Sequence, residues 1–240
     1  MTRLYFAFLC ASLAQTLFAS PEEIRTGALG ARATVIRDDP PGHINDDIAA
    51  VGDVNGDGLA DFIFRRGDSS AFKEVRMFLG FGARDLPPEL GIAELAARST
   101  AFLVEPSADK RRGYLESVAP AGDVDRDGFA DFFLLNTYGT PRDWVGPPEG
   151  SPGVVYLVHG APDLPREVFI DAAPAGVRVT TFTTSRALPT RLALSAAADG
   201  DLNGDGASDL VLGAAYSVAF LSDNVDSVYG RVYVLLGGPS

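Results

Sequence analysis

Short apolar segments alternate with polar turns along most of the chain. The segments FIF, FFLL and LVL, at 62–64, 132–135 and 210–212, are rich in branched and aromatic residues, which is typical of strands. In VVYLVH, at 154–159, both faces of the predicted strand are mostly apolar. Such a strand is covered on both sides, so the pattern predicts stacked β-sheets. Only IAELAARS, at 92–99, favours a short helix.

An acidic stretch precedes three of these strands and is followed each time by a second apolar strand that ends in Gly. A unit repeated at long intervals indicates one supersecondary structure used three times, and sheets stacked one per unit predict the blades of a β-propeller. The acidic stretches are GDVNGDGLADFIF (52–64), GDVDRDGFADFFL (122–134) and GDLNGDGASDLVL (200–212), and the later strands are VRMFLGFGARDLP (75–87), VVYLVHGAPDLP (154–165) and RVYVLLGGPS (231–240).

The acidic stretches have the composition of calcium-binding loops when each is numbered from its first Asp. Side-chain oxygens at positions 1, 3, 5 and 9 and the backbone carbonyl at position 7 are hard ligands for Ca²⁺, and Gly at position 6 permits the turn. Without a cation the crowded carboxylates would repel one another. The predicted ligands of three structural sites are Asp53, Asn55, Asp57, Leu59 and Asp61; Asp123, Asp125, Asp127, Phe129 and Asp131; and Asp201, Asn203, Asp205, Ala207 and Asp209.

Two helical calcium-binding motifs fit these loops poorly. An EF-hand needs a bidentate Glu at position 12, where this chain has Phe64, Leu134 and Leu212. A dockerin needs helices after the loop, whereas these exits favour strands. We therefore interpret the loops as connections within β-sheets.

The three loops resemble those of the FG-GAP repeat family, known from the β-propeller of integrin alpha chains and from bacterial exported proteins. The resemblance covers about residues 42–240. It implies an all-β fold of about three four-stranded blades, incomplete or part of a larger seven-bladed propeller, with structural calcium. The approximate blade limits are 42–90, 91–165 and 166–240.

The N-terminal segment differs from the rest. Residues 1–19 combine an early Arg, an apolar run and small residues, as a secretory signal peptide does, and 20–41 form a lead-in. The chain's one cysteine, Cys10, falls within that peptide, so the mature chain needs another stabilising device than disulfides. The sequence contains no second membrane segment. We expect secretion to the extracellular space, the cell surface or the periplasm.

Charge and motifs narrow the function. A net charge of −12 disfavours nucleic acid and anionic membranes as partners. Neither His43 nor His159 lies in a recognised catalytic motif, so we expect no enzyme activity. We interpret Arg66-Gly67-Asp68 as a chance occurrence of a tripeptide that integrins recognise, and Trp144 is the first candidate for a ligand contact.

Three functional hypotheses remain open from the sequence. The first is a calcium-binding exported scaffold for adhesion or for binding an extracellular protein or glycan. The second is a non-catalytic accessory propeller of a secreted hydrolase, and the third is a lectin-like propeller that binds sugars. Three blades would leave sheet faces exposed, so self-association or further blades are expected.

Overall fold

The structure, a computed structural model, describes residues 33–37, 43–67, 76–104, 115, 117–136, 154–183, 190–216 and 231–238. Strands predominate, joined by one short helix, α1 (Ile92–Arg98), and a 3₁₀ turn (Ile170–Ala172). The strands are β1 (Val35–Arg37), β2 (His43–Gly52), β3 (Asp61–Gly67), β4 (Arg76–Gly80), β5 (Glu89–Gly91), β6 (Thr100–Leu103), β7 (Ser117–Gly122), β8 (Asp131–Asn136), β9 (Val154–Val158), β10 (Glu167–Phe169), β11 (Val179–Thr183), β12 (Thr190–Gly200), β13 (Asp209–Tyr216) and β14 (Arg231–Leu235).

The strands form three larger sheets, and the all-β fold class predicted from the sequence is confirmed. Sheet one contains β2, β3, β4 and β6 in antiparallel order, with β10 added parallel to β6. Sheet two contains β7, β8, β9 and β11, and sheet three contains β12, β13 and β14, all antiparallel. By themselves, β1 and β5 form a two-stranded sheet.

The fourth strands divide the chain differently from the approximate blade limits given by the sequence. Strand β6 pairs with β4 although it lies beyond residue 90, and β11 pairs with β9 although it lies beyond residue 165. The reason is that the acidic loops and the Gly after the third strand mark only the first three strands of each sheet. The fourth strands, TAFL and VTTFT, have no such signal.

The short helix confirms the one helical prediction. Ile92 and Leu95 of α1 are buried one turn apart, and the helix contacts β4. Glu94 and Arg98, four residues apart, form an ion pair on its exposed side. A one-sided apolar pattern over two turns is therefore enough to pack a helix against sheet one.

Sheet two lies between the other two sheets because its strands carry apolar side chains on both faces. In β8, Phe132 and Leu134 pack in one apolar cluster with residues of sheet one, including Phe102. Phe133 and Leu135 pack in a second cluster with Leu210, Leu212 and Ala214 of sheet three. Because successive side chains of a strand point to opposite faces, one strand supplies both clusters. The prediction that 154–158 is apolar and covered on both faces is confirmed by the same alternation in β9.

Backbone hydrogen bonds connect the sheets in a repeating pattern. The carbonyl of Asp53 accepts the N–H of Ala130 in the next unit at 2.8 Å, and the carbonyl of Asp123 accepts that of Ser208 at 3.2 Å. The residue after each Asp repeats this: Val54 accepts from Ala161 and Val124 accepts from Gly238. The first strands of the sheets also lie side by side, with β2 against β7 and β7 against β12. The same interface is thus used twice.

Several sequence predictions lie outside the described residues: the signal peptide at 1–19, most of the lead-in at 20–41, Trp144 and Asp68. Arg66 and Gly67 end strand β3. Within the described part of the chain, no helix has the length and apolar character needed to cross a membrane.

Gly160 offers a test of the tight contact between a loop and its later strand. A Cβ added there would lie 2.6 Å from the Ala130 carbonyl oxygen, a backbone atom that has little room to move. We expect Gly160→Ala to lower the free energy of unfolding by about 1–3 kcal/mol, the usual cost of overpacking, in urea denaturation. The control is Gly200→Ala, where nothing lies within 4 Å of the added atom. Equal urea midpoints for the two variants would contradict this packing.

Candidate metal centre

The three acidic loops occupy the same place in their sheets. Loop one (53–61), loop two (123–131) and loop three (201–209) each join the first strand of a sheet to the second. The ladder is irregular just before each loop, where a Gly pairs with the Asp at position 9: Gly52 with Asp61, Gly122 with Asp131, and Gly200 with Asp209. The loops are therefore hairpin connections with strands on both sides.

The carboxylate at position 1 organises each loop. In loop one, Asp53 Oδ1 accepts the N–H groups of Gly56 at 2.7 Å and Asp57 at 3.1 Å, and Oδ2 accepts that of Gly58 at 2.8 Å. These bonds wind the backbone around one side chain. Asp201 in loop three has the same three partners by position, and Asp123 in loop two accepts from positions 5 and 6.

A second series of hydrogen bonds links positions 3, 5 and 7 of each loop. Asn55 Oδ1 accepts the N–H of Asp57 at 3.0 Å, and Asp57 Oδ1 accepts that of Leu59 at 2.8 Å. Loops two and three repeat both contacts. In loop two, carboxylate oxygens of positions 1, 3 and 5 lie within 4.8 Å of one another. The predicted ligands at these positions are thus brought together by the local backbone.

Position 9 has a different environment from the others. Asp61, Asp131 and Asp209 are almost completely buried, with at most 1% of each residue exposed. Asp131 Oδ2 accepts the N–H of Val124 at 3.0 Å, and Oδ1 accepts that of Gly160 at 2.9 Å. Loops one and three contain the equivalent pair of bonds. The position 9 carboxylate therefore fastens its own loop to the end of the third strand of the sheet.

In loop one, burial also changes the acidity of the Asp61 carboxyl. Burial raises the pKa of the Asp61 carboxyl, and the negative charges of Asp57 and Asp53 raise it further. The N–H groups of Gly82 and Val54 act in the opposite direction because they stabilise the ionised form. A cation beside loop one would relieve the repulsion that the three carboxylates exert on one another.

Basic side chains reach loops two and three. Arg126, at position 4 of loop two, has a φ of 60° and is the one described non-Gly residue in the left-handed region. Its guanidinium lies 3.0 Å from Asp205 Oδ1 of loop three. The pKa of the Asp205 carboxyl lies below its usual range, first because of the Ala207 N–H, then the Asn203 side chain, with Arg126 adding to both.

Loop two has two further neighbours that the loop sequence did not predict. The Arg178 guanidinium lies against Asp125 Oδ2 and 3.7 Å from Asp127 Oδ2. His159, the residue after β9, directs Nδ1 toward Asp125 and Asp131, and these three side chains form a second group of potential ligands. His159 had a sequence signal, because it immediately precedes the Gly that ends the repeated later strand. Arg178 had none, since it lies in an unmarked connection.

The donor chemistry of the loops fits a hard dication. A carboxylate has about four lone-pair positions. The N–H groups use three on Asp53 and two on Asp61, so oxygens remain available for a metal. Asp57 adds a third carboxylate and Asn55 an amide oxygen in loop one. Residues of this kind would hold Ca²⁺ between the two strands of each hairpin.

Substitutions in loop one can separate the structural role of the buried Asp61 carboxylate from the predicted metal-binding role of the exposed Asp57 carboxylate. Asp61→Asn keeps one oxygen for one backbone donor but places an amide N–H₂ against the other donor in a buried site, so we expect a loss of about 2 kcal/mol or more in unfolding free energy, even in excess chelator. Asp57→Asn, the matched exposed change at position 5, should have its main effect only when calcium is present. Urea denaturation with and without chelator distinguishes them; equal losses in chelator would contradict the assignment.

Comparison with known proteins adds no identity to this geometry. No protein-family model matches the chain, and no curated protein matches it. The functional interpretation therefore depends on the contacts of the loops themselves.

Proposed function

We propose that this chain is an exported, calcium-stabilised scaffold of FG-GAP-type β-propeller blades that binds an extracellular protein or glycan. One observation carries the proposal: in three hairpin loops of successive stacked sheets, the N–H groups of positions 5 and 6 bond the carboxylate at position 1, and the carboxylate at position 9 accepts the same pair of bonds. A polar turn without a ligand has no need for this many acidic side chains in one arrangement.

The sheet arrangement supports blades as the repeated unit. Each sheet is an antiparallel meander that begins beside the first strand of its neighbour, with β2, β7 and β12 in sequence. In a propeller the first strands of the blades surround a central axis, and neighbouring blades pack face to face. The two apolar clusters on either side of sheet two fit that arrangement.

Calcium in these loops would be structural. Extracellular calcium modules bind with Kd of about 0.1–1 mM, so millimolar calcium adds about 1–2 kcal/mol per site. Three sites would supply the stability that an exported chain of this size often obtains from disulfides, and this chain has a single cysteine at Cys10.

The binding role follows from the rigidity of such a scaffold. Connections carried on rigid sheets commonly form recognition surfaces, and in this chain the long connections 137–153 and 217–230 fall outside the described residues. A glycan array and a panel of extracellular matrix proteins, each probed with calcium and with chelator, would identify the ligand class. Enzyme activity is not part of the proposal.

Sheet three exposes the surface that sheets one and two each use to contact the next sheet. The position 2 residue is buried where a further unit follows, with Val54 at 0% and Val124 at 8% exposed, but Leu202 is 62% exposed. Unit one has the complementary positions Ala60 and Ala83, both exposed. We propose that a second copy of this chain docks head to tail, with its first unit against sheet three.

Calcium removal tests the structural role of the loops. We expect excess chelator to lower the melting temperature of the purified chain by about 10 °C, because several kcal/mol of binding free energy are lost. Differential scanning calorimetry with added calcium, magnesium or chelator measures it. Magnesium should restore little of the loss, since it requires near-octahedral geometry and keeps its water. An unchanged melt in chelator would defeat the proposal.

Light scattering tests the head-to-tail association. We expect a mass of at least two chains at micromolar concentration, and Val234→Glu should reduce it to one, because Val232, Val234 and Leu236 expose apolar surface on one side of the last described strand. Ala93→Glu, at an exposed residue of α1, is the control and should leave the mass unchanged. A monomeric parent chain would contradict the docking.

A further inference from the structure

His159 is buried beside loop two, and one of its ring nitrogens has no hydrogen bond. Only 7% of the residue is exposed. Nε2 lies 3.1 Å from Thr180 Oγ1 on β11, whereas Nδ1 is buried and makes no hydrogen bond. Nδ1 lies 3.5 Å from Asp125 Oδ2 and 3.5 Å from Asp131 Oδ2. A buried nitrogen that faces two carboxylates and makes no hydrogen bond is arranged as a metal ligand would be.

The contact with Thr180 accommodates the ring tautomer that a metal requires. In that tautomer the Nε2–H group donates a hydrogen bond to Thr180 Oγ1, and Nδ1 presents its lone pair to Asp125 and Asp131. Ligating histidines commonly have such a partner on the second nitrogen, which fixes the orientation of the ring. The hydroxyl of Thr180 therefore acts as a positioning group.

The other two units lack this nitrogen. The residue before the equivalent Gly is Phe81 in unit one and Leu236 in unit three, and neither can coordinate a metal. Position 3 also differs, since loop two has Asp125 where the others have Asn55 and Asn203. Loop two is thus set apart by two changes that meet at one point, as the group Asp125, Asp131 and His159 demonstrates.

The spacing of the three donors matches a small coordination sphere. Ligands bonded to Zn²⁺ at 2.0–2.2 Å in tetrahedral geometry lie about 3.4 Å apart. The nitrogen is 3.5 Å from each carboxylate oxygen, and all three donor atoms lie within 4.8 Å of one another. Calcium takes oxygen ligands, whereas imidazole with carboxylates suits zinc and related transition metals.

We propose that loop two binds a transition-metal dication of the zinc class through His159 Nδ1, Asp125 and Asp131, while loops one and three keep all-oxygen sites for calcium. This proposal replaces calcium by a transition metal in one of the three loops of the proposed function, and it rests on that function in one respect, that loop two holds a cation.

Arg178 acts as the competing cation in this site. Its guanidinium lies against Asp125 Oδ2, the same oxygen that faces His159, and its side chain is 46% exposed. Because the arm is exposed, it can turn into solvent when a dication takes its place. Removing its charge should therefore strengthen metal binding.

The experiment is calorimetric titration of the purified chain with Zn²⁺ in the presence of millimolar calcium. We expect one zinc per chain, and His159→Leu, which copies the residue of unit three, should weaken it by at least tenfold. Asp125→Asn, which copies units one and three, should weaken it similarly, and Arg178→Gln should strengthen it. Calcium-dependent melting of each variant provides the folding control.

Histidine nitrogen NMR supplies a readout that does not depend on any variant. The chain has two histidines, so the signals are few. Zinc should move the Nδ1 resonance of one ring to the position of a metal-bound nitrogen. A resonance that instead reports a ring protonated at both nitrogens, with or without zinc, would assign His159 to an ion pair with the two carboxylates and overturn the proposal.

The outcomes separate the two proposals. Calcium-dependent stability with zinc binding unaffected by His159→Leu overturns the zinc site alone. Absence of any calcium effect defeats the structural calcium role, whether or not zinc binds. Zinc binding that is lost in His159→Leu, while calcium still raises its melting temperature, supports both. If His159→Leu fails to fold, Asp125→Asn and the nitrogen resonance decide.

Discussion

The buried carboxylate at position 9 is the interaction on which each sheet depends. A carboxylate removed from water is costly unless its oxygens are satisfied, and Asp131 meets this need with the N–H groups of Val124 and Gly160. These donors lie on the loop itself and at the end of the third strand, so one side chain holds three strands in register. The same demand explains why Gly stands at the second donor, since a Cβ at Gly160 would meet the Ala130 carbonyl.

The loops also connect neighbouring sheets through their backbone. Their side chains face the predicted cation, and the carbonyls at positions 1 and 2 accept bonds from the next unit, as Asp53 does from Ala130. The candidate metal site and the interface between sheets are thus built from one short segment. Anything that orders the loop orders the interface too, as is usual where repeated units contact only their neighbours.

The second unit departs from the other two at three positions in or beside its acidic loop. Asp125 replaces an Asn, His159 replaces an apolar residue, and Arg126 extends to Asp205 of loop three. Loop two nevertheless retains the bonds from positions 5 and 6 to Asp123 and the bonds that link positions 3, 5 and 7. A repeated scaffold can therefore vary the chemistry of one site while its fold is retained, because the backbone bonds come from position and not from the identity of each side chain.

The sequence by itself determined the local features: the strands with period two, the helix at 92–98 and the hairpin loops. These follow from neighbouring residues, so their pattern is readable along the chain. The ligand positions within each loop stay a prediction. Only the tertiary structure decided that TAFL and VTTFT are fourth strands. It also decided that Asp61 and its equivalents are buried and bond the loop to the third strand, and that His159 and Arg178 both contact Asp125. Those contacts join residues far apart in the chain, and their partners have no motif because pairing and burial, not local spacing, bring them together.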